Sequence, residues 1–342
     1  MQKPHEYICE QFKKYDAILL GEEHRIRENL LFVQELLPYL LKAGVTNVGM
    51  EFGSSEVQKG LDQLVTGEVY DEQRARDFMF HYNVTWAMKE YMDIYKAAFE
   101  LNKSVGKNNK KMRILNLSYQ YDWSEYRGLR YPEDSQKIFK KGTIEQFRAE
   151  LVEKEVFAKG EKILILTGTI HAFTKYQYTV YDGLEEHFYR YIQKDFGHLL
   201  YKRYGNKVAT VLLHQKFPKR MMPNSESPCN GKLEQWFLEQ GGVPMGIDLN
   251  ENSVGELSEK SDYRIGYEDL KLRNLADGYI FLKPLKELHG ATLDREFLKG
   301  RNYEDVKRNF PDPDWHPIPN TEEEYWEYLE DFVSLKDYRK GI

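Results

Sequence analysis

Five short apolar runs recur along the chain, and each breaks off into small or polar residues. They are Ala17–Gly21 (AILLG), Val45–Phe52 (VTNVGMEF), Met112–Leu117 (MRILNL), Ile163–Thr169 (ILILTGT) and Val208–Leu213 (VATVLL). Runs this short, apolar at consecutive rather than alternate positions, suit strands buried on both faces, as in a parallel sheet covered by helices. The segments between them have helical spacing. In Glu28–Lys42 the residues Leu30, Leu31, Val33, Leu36, Leu37, Leu40 and Leu41 recur at steps of three and four, with Pro38 expected to kink or shorten the helix and Gly44 to cap it. Trp86–Leu101 and Thr143–Ala158 are spaced alike. Strands alternating with helices predict an α/β fold, a central mainly parallel sheet flanked by helices.

The loop Lys219–Gly231 is the best boundary, dividing a core over 1–230 from a C-terminal extension over 231–342, with the two expected to form one domain. Within the extension, Val243–Leu249 and Gly278–Leu282 read as two further strands, either extending the sheet or forming a small second unit, and the tail from Thr321 as an acidic aromatic helix. Composition excludes several classes. With 41% hydrophobic and 14% aromatic residues the chain is no disordered polymer. A formal net charge of −6 gives no reason to expect nucleic acid. No run approaches the roughly 20 apolar residues of a membrane span, and no secretory h-region opens the sequence, so the expectation is a cytoplasmic protein. Cys9 and Cys229 cannot staple a chain of this size.

In open parallel sheets the ligand crevice lies beyond the carboxyl ends of the strands. Here those ends carry Gly21-Glu22-Glu23-His24, Gly49-Met50-Glu51-Phe52 and Gly168-Thr169-Ile170-His171. Residues two apart share a strand face, so Glu22 and His24 point together. If a helix opens at His24, Glu28 stands four residues on and orients the imidazole. Arg25 and Arg27 are placed to bind a substrate carboxylate or an oxyanion. A His held by a carboxylate is a good general base, with Glu51 to position it or act as the acid; two His and two Glu make an equally plausible metal-ligand group. Each residue also has a plain structural alternative: Glu51 in a salt bridge to Arg25 or Arg27, His171 as a satisfied core histidine. His81 and Tyr119 are further candidates for lining a pocket, whereas Trp86 reads as core and Trp315-His316 as surface closure. No G-x-S-x-G elbow, P-loop or G-x-G-x-x-G is present.

The ordered set GEEH, GMEFG and GTIH is similar to the superfamily of erythromycin esterases, ChaN-like haem-binding proteins and Tiki/TraB proteases, with the esterase branch favoured, over roughly residues 15–250. The first motif is a residue shorter than the esterase pattern and nearer the ChaN-like one, and GTIH is closer to the Tiki and ChaN form. The resemblance implies hydrolysis by a water activated at His24, with Glu22 and Glu51 shaping the site and His171 stabilising or protonating the leaving group.

The expectation is therefore an esterase-like hydrolase of a small-molecule substrate, with catalytic His24, Glu22, Glu51 and His171, and with Arg25, Arg27, Glu28, His81 and Tyr119 as substrate-binding candidates. No cofactor is assumed. Two alternatives stay open: a metal-dependent hydrolase or peptidase using Glu22, His24, Glu51 and His171 as ligands, and a haem or small-ligand binder with His24, His171 or Tyr119 as the axial contact.

Overall fold

The computed structural model describes residues 2–106, 109–127, 132–182, 185–219, 224–313 and 317–339. Trp315 and His316 lie outside them. Seven strands form one sheet: β1 (Ala17–Glu22), β2 (Asn47–Ser54), β3 (Arg113–Ser118), β4 (Ile163–Gly168), β5 (Val208–Leu213), β6 (Met245–Asp248) and β7 (Gly278–Phe281). Their order is β6-β7-β5-β1-β4-β2-β3. All neighbours are parallel except β6 and β7, which pair antiparallel at one edge. The two strands expected beyond residue 231 thus extend the same sheet.

Alternation along the strands sorts the apolar side chains into two layers. Ile18, Leu20, Val48, Met50, Leu164 and Leu166 pack with helices α1 (Pro4–Gln11), α2 (Arg27–Lys42), α3 (Gln58–Thr66), α4 (Glu72–Tyr82) and α5 (Lys89–Ser104). Ala17, Leu19, Leu115, Leu117, Ile163 and Ile165 face the other way, onto α6 (Ile144–Glu155) and α7 (Phe196–Tyr204). Every residue of β1, β2, β4 and β5 is buried, which is why these runs are apolar at consecutive positions. Near the C-terminus, α8 (Glu322–Val333) brings Tyr325 and Leu329 into the first layer.

Two helix boundaries differ from expectation. Pro38 neither stops nor shortens α2, whose buried Leu36, Leu37 and Leu40 carry the helix through it to Lys42; Gly44, at φ 84°, follows in the left-handed region. The helix expected from Trp86 starts only at Lys89. A turn precedes it, because Asn83 Oδ1 accepts hydrogen bonds from the Thr85 N–H and hydroxyl, both at 2.9 Å, which favours turn over helix there.

The register sets strand ends side by side. Gly21 and Glu22 of β1 pair with Thr167 and Gly168 of β4, while Met50 of β2 pairs with Leu166. Close packing makes Gly21 a spacing element: a Cβ there would stand 2.8 Å from Leu212 Cδ2 and 3.1 Å from the Ala172 Cβ. Gly21→Ala is expected to destabilise by about 1–3 kcal/mol through overpacking, read by urea denaturation; an unchanged midpoint would show that Leu212 absorbs the methyl freely.

Candidate functional site

Parity decides where the carboxylates point. Glu22 continues the phase of Ile18 and Leu20 and faces the α5 side, where it accepts a hydrogen bond of 2.9 Å from the Tyr91 hydroxyl. Glu51 is out of phase with Met50 and Phe52 and faces α6, where Arg148 Nη2 stands 3.0 Å from its Oε1. The two acids therefore approach the crevice from opposite faces of the sheet, and His24 lies over the strand ends between them.

Glu22 Oε1 holds His24 Nδ1 at 2.8 Å. The ring stands edge-on to Phe52 and Trp86, with centroids 5.0 and 5.5 Å away, and those two aromatics stack on each other. Its other nitrogen, Nε2, has no hydrogen-bond partner among the described residues. A Cβ on Gly168 would lie 2.8 Å from His24 Cε1, 3.2 Å from Nε2 and 3.6 Å from Glu51 Oε2, so the missing side chain at 168 is what leaves room for the imidazole. Burial by itself would lower the basicity of His24, but the hydrogen bond to Glu22 and the charges of Glu22, Glu51 and Glu23 prevail and raise its pKa to about 9. The resting imidazole is consequently protonated at neutral pH.

Glu51 is fully tied. Oε1 meets Arg148 at 3.0 Å and His171 Nε2 at 3.5 Å; Oε2 accepts from the Thr167 hydroxyl at 2.6 Å and the Gly168 N–H at 2.8 Å. Burial would push its carboxyl up, yet Arg148, His171, His24 and Thr167 together hold it well below the usual carboxylate range. An acid so firmly ionised has no proton to give at neutral pH, so the geometry suits Glu51 to positioning. His171 stands between Glu51 and Glu145, its Nδ1 2.9 Å from Glu145 Oε1. Burial opposes its protonation, but the two carboxylates raise its pKa above the ordinary value. Arg148 also contacts Glu145 at 3.4 Å and the Ser118 hydroxyl at 3.1 Å.

His24, Glu51, Arg148 and His171 open onto one cleft of about 370 Å³, lined among others by Trp86 and Tyr121. Pro311, Asp312, Tyr328, Leu329 and Phe332 form its outer wall, so the C-terminal extension completes the site. No serine or cysteine is among the described lining residues. Arg25 joins the two regions: its guanidinium donates to the Phe332 carbonyl at 2.7 Å and contacts Asp337 at 3.3 Å, while its backbone takes φ 77°. That left-handed residue, three positions past the end of β1, swings the chain toward α2.

Several expected site residues stand elsewhere. The helix after His24 begins at Arg27, not at His24, so Glu28 turns away and instead binds His289 Nδ1 at 2.9 Å, the His289 N–H at 2.9 Å and Lys283 at 3.1 Å. It does not orient His24. Arg25 is engaged as described, and Arg27 pairs with Glu90 at 3.0 Å, so neither forms the salt bridge to Glu51 weighed from sequence; Arg148 does. Tyr119 is buried, packs on Tyr121 and Phe147 and donates to the Gly142 carbonyl, outside the cleft. His81 lines a neighbouring cavity, 3.5 Å from Glu56. Trp86 is buried in the core as read and also lines the cleft. Arg148 was missed although a signal existed: it falls four residues after Ile144 and four before Val152, on the apolar face of its helix, where a charge demands a partner. Tyr91 gave no comparable signal.

As they stand, the four residues expected as metal ligands are not grouped around one ion. Glu51 is saturated by a cation and two other donors, and Glu22 spends Oε1 on Tyr91 and His24. Among the described residues no three of His, Cys, Asp and Glu group as ligands. Nor is any described helix long and apolar enough to cross a membrane.

Comparison with known proteins agrees with the resemblance read from the motifs. The sequence model described as haem-binding uptake, Tiki superfamily, ChaN matches residues 8–138, a segment containing Glu22, His24 and Glu51. No curated protein matches the sequence. Among solved structures, a mutant erythromycin esterase in its open conformation is similar with a TM-score of 0.55 at 11% identity, covering 84% of this chain and 94% of that one. A Bacillus cereus protein gives 0.53 at 14% identity, covering 84% and 92%. A succinoglycan biosynthesis protein gives 0.50 at 12%, covering 81% and 89%. The chain shares the fold of these proteins.

The Glu22–His24 contact generates a direct test. Replacing Glu22→Gln removes the charge beside Nδ1, and the His24 titration is expected to fall from about 9 toward the ordinary 6.5. Ring resonances followed by NMR across pH measure it; an unmoved midpoint would mean that Glu22 does not set the basicity of His24.

Proposed function

We propose that the protein is a hydrolase of small-molecule esters that uses water as its nucleophile. The observation carrying this reading is the arrangement of His24. One ring nitrogen is fixed by Glu22, the other faces a cleft that holds the Arg148 guanidinium and the His171 imidazole, with no serine or cysteine among its described lining residues. In the proposed reaction the neutral His24 takes a proton from water at Nε2 as the water oxygen attacks the ester carbonyl. The tetrahedral oxyanion is stabilised by the positive charge of Arg148, with the His171 imidazole beside it. When the intermediate collapses, the carbon–oxygen bond to the alcohol breaks and the proton on His24 passes to the leaving alkoxide. Glu51 holds Arg148 and His171 in place and is not itself a proton carrier.

The sign of the pH dependence follows. A histidine whose pKa is raised to about 9 supplies its base form only as pH rises through that value, so kcat/KM should climb from neutral pH and level off above about 9. His24→Ala should lower turnover of a p-nitrophenyl ester by about 10² or more and abolish the rising limb. Turnover unchanged in that variant would sink the assignment.

The family match favours a second reading, binding of haem. Tyr119 and His171 are engaged elsewhere, leaving Nε2 of His24 to face an iron; ligation needs the neutral ring and would supply a coloured, redox-active centre. Under this reading, titration with haem gives a Soret band that strengthens above neutral pH and is lost in His24→Ala. A featureless titration discards it.

A further inference from the structure

Beside the cleft lies a second cavity of about 260 Å³, and the two share a wall made by Tyr82, Asn83, Tyr121 and Trp123. Small-molecule sites usually span about 300–1,000 Å³, so the smaller cavity is undersized alone but sensible as an annex of the larger one. Its chemistry differs from that of the cleft. The shared aromatics offer ring faces and edges, and the far side is set with Asp77, His81, Gln120, Arg301 and Asn309. Asp77 and Arg301 pair at 2.6 Å, so the lining supplies donors and acceptors without a strong net charge. The Gln120 amide carries both kinds of group, Asn83 adds an Nδ2 donor beside an Oδ1 already held by Thr85, and Asn309 adds an Oδ1 acceptor while its Nδ2 donates to the Asp305 carbonyl. His81 Nε2 is sealed from solvent and stands 3.5 Å from Glu56 Oε2.

Flat aromatic walls beside neutral, two-way hydrogen-bonding groups match a ligand with hydroxyls around its edge and C–H bonds on its faces. They do not match a phosphate or carboxylate, for which Asp77 would be a liability, nor a purely apolar chain, which would leave the amides unpaired. We propose that this annex binds a polyhydroxylated group, a sugar or cyclic polyol, and that the substrate is an ester joining such a group to the acyl part held at His24. The substrate class rests on the hydrolase reading; the binding of the polyol does not.

Two measurements separate these claims. In calorimetry, methyl α-glucoside, methyl β-galactoside and myo-inositol are titrated into the wild-type protein and into His24→Ala. At least one should bind both proteins alike, and Gln120→Ala combined with Asn309→Ala should weaken that binding by about tenfold or more. Absence of binding for all three at tens of millimolar, or binding indifferent to the double change, overturns the annex. In kinetics, the acetate ester of the bound polyol should exceed ethyl acetate in kcat/KM, and the double variant should erase the preference. Ester turnover without such a preference overturns the substrate class while the hydrolase stands. Polyol binding without any ester turnover overturns the hydrolase reading while the annex stands. Retained thermal unfolding of the double variant confirms that it is folded.

Discussion

The buried ion pair between Glu51 and Arg148 is the constraint around which the site is organised. Both are almost sealed from solvent, at 6% and 2% exposure, and a lone charge at such a depth costs several kcal/mol. The cost is offset by saturation. Thr167 and the Gly168 N–H complete Glu51, while Glu145 and Ser118 join Arg148. One network thus ties the ends of β2, β3 and β4 to α6, and it fixes His171 through the same carboxylates. Removing either member would leave an uncompensated charge, so the pair gives little net stability but strongly specifies one arrangement.

His24 is held from the other face of the sheet, by Glu22, which Tyr91 supports. The separation has a chemical consequence. Glu51 is locked as an anion, whereas His24 keeps one nitrogen bare, so the mobile proton of the site resides on the imidazole. Opposite environments for neighbouring titratable groups are how acid and base tasks are divided in one pocket. The outer wall comes from far along the chain. Arg25, one residue after His24, reaches the Phe332 carbonyl and Asp337, so the residues that close the cleft are anchored to the motif at its floor.

Much of this was legible in the residues. The strand ends carrying Glu22, His24, Glu51 and His171 could be located because buried parallel strands are apolar throughout and their first polar residues mark the crevice. Parity also put Glu22 and His24 on one side. The same parity, applied from Ile18 to Glu22 and from Met50 to Glu51, would have placed the two acids on opposite faces, a step that needs the strands to be laid side by side. The proposed partner Glu28 failed because an i, i+4 rule holds only inside a helix, and the left-handed Arg25 postpones that helix to Arg27.

By itself, the amino-acid order determined the layered α/β architecture, the strand ends and the acids and imidazoles that close them, since these follow from local periodicity and from the rarity of charge within apolar runs. Only the tertiary structure decided that Arg148, not Arg25 or Arg27, neutralises Glu51, that Tyr91 supports Glu22, and that residues near 311 and 328–332 wall the cleft. Such pairings join segments some 70 to 310 positions apart. Nothing in local sequence encodes which of many charges or aromatics meets which; that is settled when burial forces each polar group to find a partner within reach.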